Sequence, residues 1–115
     1  MAIFKLRYLL IFILLALLVV VGVILMGFFT KKKEATEIID SYIVEKGYEN
    51  HIQEKEILYD WKQGTYYAKV IFEDEPENYY EIYLENNSNN VYVIGYNDQK
   101  GEEITNKKEG KYIDN

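Results

Sequence analysis

An uninterrupted apolar run near the N-terminus constrains this chain more than anything else in it. From Tyr8 to Phe29 there is no charged residue and no proline. As a helix rising about 1.5 Å per residue, this run covers roughly 33 Å, enough for a bilayer hydrocarbon core of about 30 Å. Lys5 and Arg7 precede it, and Lys31, Lys32 and Lys33 close it. The remaining chain is too short to wrap a helix that is apolar all round, which excludes a buried core helix. A cleavable signal sequence has a shorter apolar core, about 7–15 residues, and a small-residue cleavage site. Ile24-Leu25-Met26-Gly27-Phe28-Phe29 offers none. The run therefore reads as an uncleaved single-pass transmembrane helix, with contact to the cell membrane through residues 8–29. Gly22 and Gly27 are five apart and do not form the small-residue spacing that packs two spans together.

Orientation is decided by the flanks. Basic residues count in the positive-inside rule and acidic ones hardly do, so Lys5 and Arg7 compete with three lysines at the exit. A short basic head before a long apolar core is the layout of a signal anchor. That points to a cytoplasmic N-terminus and a C-terminal domain outside.

All nineteen acidic side chains lie after the span, with eleven of the thirteen basic ones, so the segment from Lys31 onward carries −8. Such a segment repels nucleic acid and anionic lipid, and no nucleic-acid partner is expected. The absence of cysteine removes disulfides and thiolate metal sites.

After the lysines, Ala35, Ile38, Ile39, Tyr42 and Lys46 recur at helical spacing, and Gly47 supplies a C-terminal stop. Nothing between Gly27 and Gly47 breaks a helix, so the span is able to run on into this amphipathic one. From Glu54 the period changes to two. Ile57, Tyr59 and Trp61 alternate with polar neighbours, as do Tyr66, Ala68, Val70 and Phe72, then Tyr80, Ile82 and Leu84. A fourth run, Val91 to Tyr96, is apolar on both sides. These are the β-branched and aromatic types that suit strands. Gln63-Gly64, Glu75-Pro76-Glu77-Asn78 and the asparagine-rich Asn86 to Asn90 separate them with turn chemistry.

The fold class is therefore α+β: a transmembrane helix, then an amphipathic helix packed on a four-stranded antiparallel meander. The expected organisation is 1–30 for the basic head and span, 31–97 for the domain, and 98–115 for a polar, partly ordered tail. The basic head, the single span, the lysine-rich exit, the helix end Ile43 to Tyr48 (Ile-Val-Glu-Lys-Gly-Tyr) and the strand Tyr66-Tyr67-Ala68-Lys69-Val70 resemble a family of short membrane proteins. That family occurs in low-GC Gram-positive bacteria and is known only as a domain of unknown function. The resemblance implies an extracytoplasmic domain and brings no catalytic residues. In element order alone, the helix and meander are also similar to small cystatin-like and PepSY-like modules.

No residue set points to catalysis. His51, the only histidine, lies in a loop where Glu49, Glu54 or Glu56 could join it, but one imidazole without thiolates makes a poor zinc site. Ser41 falls mid-helix and Ser88 in a turn, neither on the strained elbow hydrolases use. Glu73, Asp74, Glu75 and Glu77 crowd a hairpin tip without a calcium-loop pattern, and read as a solvated turn. Asn86-Asn87-Ser88 is a sequon that carries no weight in a bacterial chain. The chain reads as a non-enzyme with no cofactor and no metal.

The tyrosines are the notable feature: eleven of twelve lie outside the span. With Tyr66, Val70, Phe72, Ile82 and Leu84 toward the helix, Tyr67, Tyr79, Tyr83, Tyr92 and Tyr96 share the opposite face with Lys69, Ile71, Glu81 and Glu85. Flat amphipathic rings beside charges suit a peptide, a glycan or another protein; equally, tyrosine is a good residue for a wet strand face. The expected function is a membrane-tethered extracytoplasmic interaction module with a membrane or cell-wall protein partner. Its alternatives are a ligand sensor or inhibitor of a neighbouring exported enzyme and a small immunity-type protein.

Overall fold

The structure is a computed structural model that describes residues 2–85 and 90–113. Most of the Asn86 to Asn90 connector, with Ser88 and the sequon, lies outside the described residues. The chain divides into two units, residues 1–32 and 33–115. A single helix, α1 (Ala2–Glu45), contributes to both without a break. Its N-terminal part is long and apolar enough to cross a membrane, by length and composition. The large apolar side chains from Leu6 to Phe29 are exposed in the first unit, as a lipid-facing helix requires.

The second unit begins on the last turns of α1, which end at a glycine stop. Gly47 adopts φ +72°. Its N–H donates to the Val44 carbonyl and the Tyr48 N–H to the Ile43 carbonyl, both at 3.0 Å. That pair of bonds closes the last orphan carbonyls of the helix, and the left-handed φ favours glycine. A short 3-10 turn, Glu49–His51, leads into an antiparallel sheet of β1 (Ile52–Asp60), β2 (Thr65–Phe72), β3 (Asn78–Leu84), β4 (Val91–Asn97) and β5 (Glu102–Ile104). Each strand pairs with the next, in the order β1-β2-β3-β4-β5.

Five strands replace the four expected. The fifth is three residues long with one apolar side chain, so it leaves no alternation to read. It is set by a turn in which the Gly101 N–H donates to the Asn97 carbonyl at 2.8 Å, with Gly101 at φ +65°.

The register sorts the two faces of the sheet. Ala68 faces Ile82, Val70 faces Tyr80, and Ile82 faces Val93. Ala68, Val70, Phe72, Tyr80 and Ile82 are buried with Ile39 and Ile43 of α1. Fully burying a side chain such as Val70, Phe72 or Ile82 contributes about 1.5–3 kcal/mol. Leu84 lies on the same face but is only half-buried, so Ile82, 1% exposed, is the core anchor of β3. In β4, Gly95 sits opposite Tyr80. A Cβ there would come within 2.9 Å of the Tyr80 ring and 2.8 Å of Ile113, which explains a glycine inside a strand.

The segment after Asn97 also differs from the expected partly ordered tail. It is not a polar appendage: Ile104, Tyr112 and Ile113 are all within the core. The Tyr112 ring stacks on Phe72 with centroids 3.6 Å apart and meets Tyr48 and Tyr80 edge-on. Its hydroxyl donates to the Asp74 carboxylate at 2.8 Å, and Lys111 forms an ion pair with the same group. Hydrogen bonds from Lys111 and Tyr112 hold Asp74 below its ordinary pKa. Burial, followed by the bond to Asp74, pushes the Tyr112 phenol up to about 12.

The acidic turn is thus more than a solvated tip. Glu75 accepts from the Tyr80 hydroxyl at 2.5 Å, from Asn78 Nδ2 at 2.9 Å and from the Lys111 N–H at 3.1 Å. Asn78, 2% exposed, also donates to the Glu109 carbonyl at 2.9 Å. Two members of the acidic run therefore fasten the C-terminal segment across the β2–β3 turn, which satisfies polar groups that burial would otherwise leave costly.

Candidate interaction face

The strand register brings Tyr67, Tyr79, Tyr83, Tyr92 and Tyr96 together on the sheet face opposite Ile39 and Ile43. Three rows cross this face. Leu58, Tyr67, Tyr83 and Tyr92 align in the first, Glu56, Lys69, Glu81 and Ile94 in the second, and Tyr79, Tyr96 and Glu103 in the third.

Within the rows the rings stack. Tyr67 and Tyr83 lie 4.7 Å apart at 15°, Tyr83 and Tyr92 5.4 Å apart at 11°, and Tyr79 and Tyr96 5.1 Å apart at 19°. These separations are close to the spacing of neighbouring strands, about 4.7–4.9 Å. The ring normals therefore lie along the direction that crosses the strands. The face does not offer flat rings to a ligand, as the sequence suggested; it offers ring edges and hydroxyls, because the rings stand on edge and stack on one another within each ladder.

Two ladders result, one of three rings and one of two. Between them Lys69 Nζ sits 4.7 Å from the centre of the Tyr79 ring, a cation–π contact. The Tyr83 hydroxyl donates to Glu81 Oε2 at 2.5 Å, and the Tyr92 hydroxyl to Gln63 Oε1 at 3.3 Å.

Tyr83 departs from the sequence reading in a second way. With a ring on each side and its hydroxyl on Glu81, it is only 7% exposed. It is a structural member of the ladder as much as a surface residue, and Tyr67, Tyr79, Tyr92 and Tyr96, all half-buried, are the accessible ones. Burial raises the phenol pKa of Tyr67, Tyr79, Tyr83 and Tyr96, and the Glu81 carboxylate raises each further. These ladder phenols stay neutral at physiological pH and act as hydrogen-bond donors.

The other sequence candidates scatter. His51 is exposed at the end of the 3-10 turn, and Ser41 is exposed on α1. Among the described residues, no group of three or more His, Asp or Glu side chains is placed to hold a metal ion. The sequence reading put Trp61 in the first strand; β1 ends at Asp60, and Trp61 stands in the following turn.

Residues 4–82 match the family described as "Protein of unknown function (DUF3139)". The chain belongs to that family. The matched segment holds the apolar span, the rest of α1 from residue 4, β1, β2 and the first five residues of β3, and so includes Tyr67 and Tyr79 but not Tyr83, Tyr92 or Tyr96. No curated protein and no solved structure matches the chain. The cystatin-like and PepSY-like outlines accordingly find no support beyond element order. Family membership assigns no role to any residue.

Proposed function

We propose that this protein is a membrane-tethered binding module rather than an enzyme. In this reading the N-terminal helix anchors it in the cytoplasmic membrane with the N-terminus inside. The domain lies outside, and the tyrosine ladders receive a membrane or cell-wall protein. Tethering keeps the face near such a partner and raises its effective concentration. The observation that supports the reading is the pair of ladders around Lys69 and Glu81. Neutral phenol donors, one cation and one carboxylate are held in fixed positions on a face that α1 leaves uncovered. Edge-on hydroxyls favour hydrogen bonding to a protein surface over stacking against a sugar ring, which requires a free ring face.

A photo-crosslinking residue at Ile94, between the ladders, should capture one defined protein in intact cells. Tyr79→Thr together with Tyr96→Thr should reduce that capture by more than about tenfold, since an interface hot spot, a role in which tyrosine is enriched, contributes about 2 kcal/mol or more. The melting curve of the double variant should stay cooperative, because both rings are half-exposed and threonine retains the strand preference. Capture undiminished in a folded double variant would overturn the assignment of the ladders.

Placement is tested separately. Protease added to intact protoplasts should remove the domain from Lys31 onward and leave a membrane-embedded stub that resists alkaline extraction. Full protection of the domain would reverse the orientation, and release of a shortened soluble chain would show that the span is cleaved.

A further inference from the structure

Among the described residues of the second unit, two large apolar side chains are exposed, Trp61 at 83% and Val44 at 56%. Val44 is one aliphatic residue on a helix, which needs no explanation. Trp61 is different, because the turn that carries it is rigidly built. The Asp60 carboxylate accepts from the Lys62 N–H at 2.9 Å and the Gln63 N–H at 3.2 Å. The Gly64 N–H donates to the Asp60 carbonyl at 2.8 Å, with Gly64 at φ +68°. On the domain side, the indole meets Tyr59 edge-on at 4.8 Å, and Tyr59 meets Tyr66 at 4.9 Å. The chain's only tryptophan is thus held outward, backed by two tyrosines and followed by the exposed Lys62.

The second unit begins at this same end of the domain. Tyr48 packs on Phe72, which lies opposite Ile52 at the start of β1. Eight residues earlier on α1, Asp40 pairs with Lys55, further along β1. Moving back along α1 therefore means moving along β1 toward Asp60. Lys33 enters at the end of the sheet that carries the Asp60–Gly64 turn. Phe29, the last apolar residue of the run, is four residues before Lys33, a reach of at most about 14 Å even fully extended.

Resting on the membrane reading above, we propose that the Asp60–Gly64 turn is a second, shallow contact with the bilayer. The Trp61 indole sits at the headgroup level, and the Lys62 ammonium reaches the lipid phosphates. An indole joins a large apolar ring to an N–H donor, the combination that favours membrane–water interfaces. A lysine beside it extends its charge into the polar layer. The occupant is lipid rather than protein, because the bilayer is within reach of this end of the domain by chain length alone. A domain attached at one point can swivel about its tether. A domain attached at two presents the tyrosine ladders in a fixed direction.

Because Trp61 is the only tryptophan, its fluorescence reports this turn and nothing else. The full chain is reconstituted in vesicles of phosphatidylcholine with a minority of phosphatidylglycerol, and flotation establishes that it is membrane-bound. The expected result is a blue-shifted emission and quenching by lipids brominated near the headgroup that exceeds quenching by lipids brominated deep in the chain. Iodide quenching should be several-fold weaker than for a free tryptophan amide. Chain that floats with the vesicles but shows full iodide access and no lipid quenching overturns the second contact and leaves the anchor intact. Chain that fails to float overturns the anchor, and the second contact with it.

Discussion

A chain ending at Asn97 is expected to lose its cooperative melt altogether. The truncation removes β5 together with Ile104, Tyr112 and Ile113, each 5% exposed or less. At about 1.5–3 kcal/mol per buried side chain of this kind, the three contribute roughly 5–9 kcal/mol. A small domain has a net stability near the lower end of the usual 5–15 kcal/mol. The loss therefore equals or exceeds what the fold has to give. It also uncovers Phe72 and strips Glu75 and Asp74 of partners that now satisfy them. Near-UV circular dichroism of the truncated chain in detergent, beside the full chain, is the appropriate measurement, because α1 would keep a strong far-UV signal whatever the sheet does. Tyr112→Ala alone should cost about 3–5 kcal/mol, the range for removing a buried aromatic ring. A truncated chain that melts cooperatively at the parental temperature would show that the C-terminal segment lies outside the core.

The part of the fold that was legible in the sequence is the part written in long periods. The span, the helix stop at Gly47 and the four longer strands each extend over enough residues for a period of 3.6 or 2 to declare itself. Gly64 marks a turn by tolerating a positive φ and Pro76 by fixing a negative one, and both are local properties. What escaped depends on contacts between residues far apart in the chain. Tyr112 and Ile113 stand among lysines, a glycine and aspartate, so nothing nearby signals burial. They are in the core because Phe72 and Gly95 leave space for them. The role of Glu75 escaped for the same reason, since its Tyr80 and Lys111 partners are five and thirty-six residues away.

The candidate face divides in the same manner. Alternation was enough to put Tyr67, Tyr79 and Tyr83 on one face, because side-chain direction in a strand has period two. The facing of Tyr92 and Tyr96 required the β3–β4 register, since Val91 to Tyr96 is apolar on both sides. Ring orientation was not legible at all. Whether neighbouring phenols lie flat or stack depends on which residues stand directly opposite. Tyr67↔Tyr83↔Tyr92 and Tyr79↔Tyr96 are cross-strand coincidences that no single strand reveals. Trp61 shows the opposite error. Its apolar character continued the alternation of Ile57 and Tyr59, while Asp60 had already turned the chain.

The domain is expected to unfold sharply in alkali, with tyrosine ionisation and loss of structure in one step. Burial raises the phenols of Tyr80, Tyr83 and Tyr112 above the unfolded value of 10.0, and hydrogen bonds to Glu75, Glu81 and Asp74 raise them further. Tyr67, Tyr79 and Tyr96 shift in the same direction. A phenol with a raised folded pKa is held neutral by the folded state, so the unfolded chain loses the proton first. The resulting stability is fully present below pH 10.0 and falls as pH rises through the folded values, which for Tyr112 is about 12. Each proton retained only by the folded state changes stability by at most about 1.4 kcal/mol per pH unit, so the three buried phenols together reach about 4 kcal/mol per unit. A domain with only a few kcal/mol in hand crosses its midpoint within a narrow interval above pH 10.0. Phenolate absorbance and near-UV circular dichroism recorded on the same sample should therefore change together. Replacing Tyr83 with phenylalanine keeps the stacked ring but removes one titrating hydroxyl and its bond to Glu81, so it should make the transition less steep without abolishing it. Phenolate absorbance that rises gradually through the ordinary tyrosine range, with the near-UV spectrum unchanged, would mean that these rings are far more accessible to water than their packing against Phe72, Tyr67 and Tyr92 allows.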